Sequence, residues 1–142
     1  MKRIIIVALS FVLLNACRHL DQHTSTASLQ NTYWKLSNIN GMPLTTPENA
    51  REIHIILTRE GEETRLKGFA GCNAIGGSYV LHDNSIRFTV ISTKMFCNDR
   101  MDAENFLLNA LNKADHFKIK SETLTLFQGA KEIAKFESVY FK

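Results

Sequence analysis

The sequence predicts an α+β fold, with antiparallel strands on both sides of one amphipathic helix. Two observations support this prediction. Apolar and polar side chains alternate in several short stretches separated by turn-forming residues, which is typical of half-buried strands. Between residues 103 and 114 the apolar residues instead recur every three to four positions, which is typical of one helix face. With 142 residues and 44% apolar side chains, the chain is long enough for one domain with a core.

The predicted strands account for most of the folded part. They are 33–39, 52–58, 64–70, 78–81 and 85–91 before the helix, and 116–120, 123–127 and 132–136 after it. Trp34 begins the alternation of the first strand and is predicted to be a core anchor. Both prolines, Pro43 and Pro47, lie in 42–51, which is predicted to be a loop. The apolar residues 139–141 are expected to close the sheet.

The predicted helix buries one apolar stripe against the sheet. The stripe consists of Ala103, Phe106, Leu107, Ala110, Leu111 and Ala114. Asn98 or Asp99 is expected to cap the first turn. Glu104 lies just off the stripe, and as a lone carboxylate it is interpreted as a cap or a salt-bridge partner rather than as a catalytic acid. A helix that docks into the groove of a partner is the alternative interpretation of the stripe.

The chain has three cysteines, Cys17, Cys72 and Cys97. An odd number in an exported protein leaves one cysteine without a partner, and lipidation of Cys17 would remove that residue from the count. Cys72 and Cys97 are then expected to form a disulfide in an oxidising compartment. The competing hypothesis is a reactive thiol beside a histidine, but no histidine lies in a recognisable nucleophile motif.

A glycine-rich stretch, 71–78, surrounds Cys72. It differs from a phosphate-binding loop because Gly77 stands where that loop needs lysine, and no strand-loop-helix pattern accompanies it. We therefore reject a nucleotide site. The glycines are expected to allow positive φ angles or close backbone approach at a bulge or a bend. Asn73 is expected to bond to its own local backbone.

The first residues have the pattern of an export signal. Lys2 and Arg3 precede 13 mostly apolar residues, 4–16, and then Cys17. A helix of this length spans about 20 Å, which is too short for a hydrocarbon core of about 30 Å. A secretory signal is therefore favoured over a membrane span.

The end of this segment resembles a bacterial lipoprotein signal, in which the cysteine becomes the acylated first residue. Leu14, Ala16 and Cys17 match that pattern, and a plain secretory signal is the alternative. Acyl chains on one residue give a stable membrane anchor. The residue after the cysteine is Arg18 and not aspartate. The absence of aspartate at this position favours transport to the outer membrane of a two-membrane envelope. The predicted organisation is a signal peptide over 1–16, the acylated cysteine with a flexible tether over 17–31, and the folded domain over 32–142.

The charge balance argues against nucleic-acid binding. The formal net charge is +3, but removal of Lys2 and Arg3 with the signal takes the 17 basic residues to 15, against 14 acidic residues. No basic cluster of the kind that neutralises several phosphates remains. His19 and His23 could share a metal ion, but on a tether they are more simply solvated polar residues. We expect no metal and no cofactor.

Several of these residues together resemble the META domain family of HslJ-like envelope lipoproteins over 32–136. The resemblance lies in 68–73, in 93–97, and in the single positions Trp34, Leu36, Gly77, Tyr79, Glu104, Phe106, Leu111, Leu124 and Leu126. It implies a mostly antiparallel mixed sheet, curled into a partly open barrel, with one helix packed on it. It also implies roles in heat response, tolerance of hydrophobic antibiotics and, in some organisms, virulence or secretion, without established catalytic residues.

Two functional hypotheses follow. The first is a non-enzymatic lipoprotein, anchored in the outer membrane and facing the periplasm, that supports envelope integrity or stress tolerance with an envelope protein partner. The alternative is a small-ligand-binding or inhibitor-like module that uses the mouth of the barrel. The candidate ligand-contact or structural residues there are Asn73, Gly77, Tyr79 and Thr93. A thiol enzyme that uses one of the cysteines ranks third.

Overall fold

The computed structural model describes residues 26–141, and this range contains nine strands and one helix. In chain order they are β1 (Tyr33–Ile39), β2 (Met42–Pro43), β3 (His54–Glu60), β4 (Glu63–Phe69), β5 (Ala74–His82), β6 (Ser85–Ser92), α1 (Met101–Lys113), β7 (His116–Lys120), β8 (Thr123–Gln128) and β9 (Lys131–Val139). The α+β prediction is confirmed. The predictions for the signal peptide, for Cys17, and for His19 and His23 concern residues outside this range. Between residues 26 and 141, no helix is long and apolar enough to cross a membrane.

The strands form one sheet that closes into a ring. Each strand from β3 to β8 pairs with the next strand along the chain, and β1 pairs with both β3 and β9. Every strand pair in the described chain is antiparallel. The strand pair with the fewest paired residues is β6 with β7, which share the single register pair Ser85↔His116. This geometry agrees with the expected curled, partly open sheet.

Besides shifts of one to three residues at several strand ends, the strands differ from the prediction in two respects. β2 lies inside the predicted loop and pairs with the end of β1 after a turn at Gly41, whose φ is 84°. β5 begins at Ala74 rather than at 78, because Gly76 and Gly77 pair with both β4 and β6. The glycine-rich stretch therefore contains the end of the β4–β5 connection, 71–73, and the start of a central strand from Ala74.

Trp34 lies in the core with no exposed surface, which confirms it as an anchor. Its indole N–H donates to the Leu29 carbonyl at 3.0 Å. Ala27 and Leu29 are themselves buried, and the Ala27 N–H donates to the Ser121 carbonyl at 2.8 Å. The folded part therefore begins before residue 32, inside the predicted tether. The polar composition of that segment predicted a flexible tether, but two of its apolar side chains pack against the ring.

Helix α1 packs against the sheet through a stripe that is rotated from the predicted one. Leu107 and Leu111 are fully buried, but Phe106 is 44% exposed, whereas Glu104 is only 2% exposed. At about 100° per residue, Glu104 lies nearer than Phe106 to the line through the two leucines. The first-turn cap also differs: the N-cap residue is Arg100, without a side-chain bond, rather than Asn98 or Asp99.

Candidate functional site

Two loops at the same end of the ring carry the cysteines. Residues 70–73 join β4 to β5, and residues 93–100 join β6 to α1. Cys72 and Cys97 form a disulfide with an S–S distance of 2.03 Å and a Cα–Cα distance of 5.8 Å. The predicted pairing is confirmed. Because each sulfur is bonded to the other, neither cysteine is a thiol nucleophile in this state.

Glu104, in the first turn of α1, binds the backbone of the first of these loops. Its Oε2 accepts hydrogen bonds from the Cys72 N–H at 3.1 Å and the Asn73 N–H at 2.7 Å. Its Oε1 accepts a third bond, at 2.7 Å, from the Asn73 side-chain amide. Three donors and the helix N-terminus compensate the burial of this carboxylate. The expected cap or salt bridge is therefore wrong, since the partners lie on a loop distant in sequence.

Asn73 uses all the hydrogen-bonding capacity of its side chain. Nδ2 donates to Glu104 and also to the Met95 carbonyl, at 3.0 Å. Oδ1 accepts from the Thr93 hydroxyl at 2.8 Å and from the Met95 N–H at 2.7 Å. A primary amide has two donors and two main acceptor positions, so this buried group is fully paired. The expected bond to local backbone is wrong, because every side-chain bond of Asn73 reaches another element.

We call this group the polar cluster: Glu104, the Cys72–Cys97 disulfide, Asn73, Thr93 and the Met95 backbone. It fixes the loop before α1 at three alternate residues: Thr93 through its hydroxyl, Met95 through its backbone and Cys97 through the disulfide. Two large apolar side chains of that loop nevertheless face solvent, because Met95 is 60% exposed and Phe96 is 80% exposed. The cluster therefore holds an apolar pair outward on a rigid loop.

The candidate residues named from sequence separate into two places. Asn73 and Thr93 meet in the polar cluster, whereas Gly77 and Tyr79 lie further along β5. Tyr79 is 1% exposed; its hydroxyl donates to the Thr58 carbonyl at 3.2 Å and accepts from the Gln30 amide at 2.8 Å. The four residues do not converge on one open pocket.

A cleft of about 440 Å³ lies beside the disulfide, between the loop that follows β2 and the start of α1. Its lining includes the apolar side chains Leu44, Pro47, Ala50, Ile53 and Ala103, with Cys97, Asp99 and Arg100 along one side. Sequence patterns gave no indication of this cleft, because its walls come from segments that lie about fifty residues apart in the chain.

Two arginines stack on one phenyl ring next to this cleft. The guanidinium carbon of Arg51 lies 4.5 Å from the centroid of the Phe69 ring, and that of Arg100 lies 5.9 Å from it. Arg100 also donates to the Arg51 carbonyl at 2.9 Å. These contacts attach the loop before β3 to the helix start, and the cation–π geometry makes them weakly stabilising at an exposed site.

Loss of the disulfide is expected to destabilise the domain by about 3.5 kcal/mol. The bridge closes a loop with a sequence separation of 25, and the chain-entropy relation gives this value for a loop of that size. The measurement compares urea unfolding of the oxidised and reduced protein. The Cys72→Ala/Cys97→Ala variant is the control, because reductant should not change its midpoint. A loss below about 1 kcal/mol would mean that the hydrogen bonds hold the loop without the bridge.

A buried histidine lies on the outer face of the sheet, on the strand that carries the core residues Ile55 and Leu57. His54 is 6% exposed, stacks on Tyr33 with ring centroids 4.2 Å apart, and donates from Nδ1 to the Glu52 carbonyl at 3.0 Å. Burial disfavours the imidazolium and lowers the pKa of His54 below its ordinary value of 6.5, while the bond to Glu52 opposes this shift.

The stability of the domain is therefore expected to fall as the pH drops below about 6.5, where the unfolded chain binds a proton at His54 more readily than the folded chain. His54→Phe keeps a ring against Tyr33 and should flatten this decline in chemical unfolding between pH 7 and pH 5, whereas His82→Phe, at an exposed turn, should keep it. An unchanged decline in His54→Phe would assign it to other groups. Asp115 does not interfere, because the Gly129 N–H and His116 hold its pKa below 3.8.

The polar cluster has few of the features of a catalytic centre. In the described part of the chain, no group of three or more histidine, cysteine or acidic side chains is placed to hold a metal ion. The buried carboxylate and amide are occupied by bonds to each other and to backbone. The arrangement is suited to holding loops in place.

Comparisons with known proteins agree with this fold. A family model described as the META domain matches residues 27–139. The solved structures that are similar include an NMR structure of a protein from Burkholderia xenovorans, with a TM-score of 0.64 and 27% sequence identity over 80% of this chain and 85% of that one. A second NMR structure has a TM-score of 0.60 and 21% identity, over 78% of this chain and 94% of that one, and supports the fold alone. A search of curated proteins gave no match.

Proposed function

The chain belongs to the META domain family, and from this premise we propose that it is a non-enzymatic lipoprotein of the bacterial outer membrane, anchored through Cys17 with its domain in the periplasm. The Cys72–Cys97 disulfide carries the proposal. Disulfides persist in oxidising compartments, such as the periplasm, and are rare in the cytosol. The export pattern of residues 1–16 leads to the same compartment.

The hydrogen bonds of the polar cluster support a structural rather than a catalytic role. Its carboxylate and amide accept and donate within the domain, and its sulfurs are bonded to each other. A general acid or a nucleophile needs a reactive atom within reach of a substrate. We infer that the cluster instead keeps the Met95 and Phe96 loop rigid for contact with an envelope partner. The resemblance to the family adds a role in envelope integrity, heat stress or tolerance of hydrophobic antibiotics.

The anchor is tested by the mass of the mature protein from envelope membranes. The expected mass is that of a chain beginning at Cys17 with attached acyl groups, and density-gradient fractionation should recover it with the outer membrane. Cys17→Ala is the control and should not carry the lipid. A mature chain that begins elsewhere, or that remains in the periplasmic extract, contradicts the proposed anchor.

The cellular role is tested in a deletion strain grown under heat or with hydrophobic antibiotics. Reduced survival that the wild-type gene restores, and that Cys17→Ala does not restore, is the expected result. Full restoration by Cys17→Ala would mean that anchoring is irrelevant to the role. Wild-type growth of the deletion strain under both stresses would contradict the role itself.

The apolar cleft beside the disulfide favours one second candidate, a module that binds a small apolar ligand. Its volume of about 440 Å³ lies within the ordinary range of ligand sites. A saturable rise in melting temperature with an apolar envelope compound, lost in Ala103→Phe and retained in Phe106→Ala, would support it. Asn73 and Tyr79 do not line this cleft, so changes there should act through stability. No saturable rise with any such compound would exclude the module.

A further inference from the structure

Both ends of the described chain meet at one end of the ring. The Ala27 N–H donates to the Ser121 carbonyl at 2.8 Å, and the Ser138 N–H donates to the next carbonyl, that of Glu122, at 2.9 Å. These consecutive carbonyls belong to the turn between β7 and β8. The residue at which the chain joins the fold and the strand with which it leaves therefore lie side by side. We call this the terminal end of the ring.

Two consecutive aromatic side chains are exposed at the terminal end. Tyr140 is 62% exposed and Phe141 is 76% exposed. Phe141 is held by an edge-to-face contact with Tyr33, with ring centroids 5.0 Å apart and planes at 84°. One exposed apolar side chain needs no explanation, but an adjacent tyrosine and phenylalanine form a compact patch. Aromatic side chains with a polar tip, such as tyrosine, are favoured at the interface between lipid and water.

The length of the chain before the fold restricts how far the ring can lie from its anchor. This step rests on the proposed acylation of Cys17. The nine residues from Arg18 to Thr26 can span at most about 32 Å. A strand of nine residues, such as β9, is about 30 Å long. The terminal end can lie on the bilayer whether the preceding chain is extended or compact. The opposite end could lie there only if the preceding chain were almost fully extended along the whole height of the ring.

We propose that the domain rests on the bilayer with its terminal end down, and that Tyr140 and Phe141 insert into the lipid headgroup region beside the anchor. Exposed charges of both signs lie at the same end: Glu60 at the turn between β3 and β4, where Glu62 pairs with Arg59, and Lys120 and Glu122 at the turn between β7 and β8. Because the two signs nearly balance, the contact depends on the aromatic pair and not on attraction to anionic lipid. The opposite end, with Met95 and Phe96, then faces away from the membrane and is free for a periplasmic partner.

The two ends of the ring provide a matched pair of probes. Met95 and Phe96 are 60% and 80% exposed, close to the values for Tyr140 and Phe141, but they lie in the loop between β6 and α1. Phe141→Trp and Phe96→Trp are therefore equivalent conservative changes at opposite ends. Trp34 has no exposed surface and contributes the same background to both variants.

The experiment uses full-length chains purified from envelope membranes and reconstituted in vesicles of phosphatidylethanolamine with a minor fraction of phosphatidylglycerol. Brominated acyl chains in these vesicles quench a tryptophan that reaches the bilayer. The expected result is strong quenching of Phe141→Trp and no quenching of Phe96→Trp. In addition, Tyr140→Ser/Phe141→Ser should weaken vesicle binding of an unacylated chain that begins at Arg18, without the signal segment, at least about tenfold, because two aromatic side chains no longer leave water. Met95→Ser/Phe96→Ser should not.

Quenching at position 96 but not at 141 would reverse the orientation and overturn the proposal. Quenching at both positions, or at neither, would overturn it as well. Failure of this proposal can be distinguished from failure of the proposed anchor. Vesicle binding of the unacylated chain is measured without the lipid, and acylation is measured independently by mass. Thermal unfolding of each variant, compared with wild type, shows whether a lost contact reflects a lost fold.

Discussion

Replacing Gly77 by alanine is expected to destabilise the domain by about 3 kcal/mol or more. A Cβ atom at this position would lie 1.9 Å from the Thr89 carbonyl oxygen, and the φ of Gly77 is +144°. The obstructing atom belongs to the backbone of β6, so no side-chain rotation can relieve the clash. The two central strands of the sheet would have to separate. Urea unfolding followed by circular dichroism is the measurement, and failure to recover folded protein is the extreme form of this result.

Gly76→Ala is the matched control, one residue earlier on the same strand. A Cβ there would have the Leu66 carbonyl oxygen as its nearest neighbour, at 3.7 Å, which is ordinary van der Waals contact. This variant should remain within about 1 kcal/mol of wild type, since a strand position without positive φ accepts alanine. Equal losses at the two positions would show that the glycines act through chain entropy rather than through close approach of the strands.

Asn73→Asp is expected to lower the unfolding free energy by about 3 kcal/mol or more at neutral pH. The side-chain amide donates to Glu104 Oε1 at 2.7 Å and to the Met95 carbonyl at 3.0 Å. A carboxylate oxygen in its place donates to neither. Two buried carboxylates would then be in contact, and the Met95 carbonyl would lose its partner. The measurement is chemical unfolding at pH 7, and Asn105→Asp, on the exposed face of α1, should change stability by less than about 0.5 kcal/mol.

The sign of the pH dependence separates this explanation from simple loss of packing. Repulsion between the two carboxylates raises the pKa at the pair in the folded variant, so the deficit relative to wild type should shrink as the pH falls. Glu104→Gln in the Asn73→Asp background should recover part of the loss, because an amide again donates between the two positions. A deficit that is constant with pH and additive in the double variant would contradict direct contact between positions 73 and 104.

These predictions define the role of the polar cluster. Glu104, Asn73 and the disulfide bind the β4–β5 loop, the β6–α1 loop and the helix start into one unit. Rigid presentation of an exposed apolar pair reduces the entropy lost when a partner binds. In the proposed function, the cluster therefore acts without touching a substrate, by holding Met95 and Phe96 in one conformation.

Residue patterns alone determined several features of this protein. The alternation that begins at Trp34 predicted a strand with a core anchor, because strand periodicity is a local property. The period change after Cys97 predicted the helix for the same reason. The cysteine count, with Cys17 assigned to lipidation, predicted the pair Cys72 and Cys97, because only these two cysteines remained. Gly77 was correctly expected to serve close backbone approach, although its partner strand was unknown.

The tertiary structure decided what periodicity cannot specify, namely which distant groups meet. Glu104 is polar and lies next to the apolar stripe of the helix, so the local pattern predicted a side chain at the edge of the buried face. Its hydrogen-bond partners, Cys72 and Asn73, lie about thirty residues away in the chain and allow its carboxylate to be buried. Satisfying that charge rotates the helix and leaves Phe106 in solvent. Ala27 and Leu29 are buried only because the ring offers an open end to cover. Local pattern fixes which side chains an element can bury, and hydrogen bonds and packing between elements fix which of them it does bury.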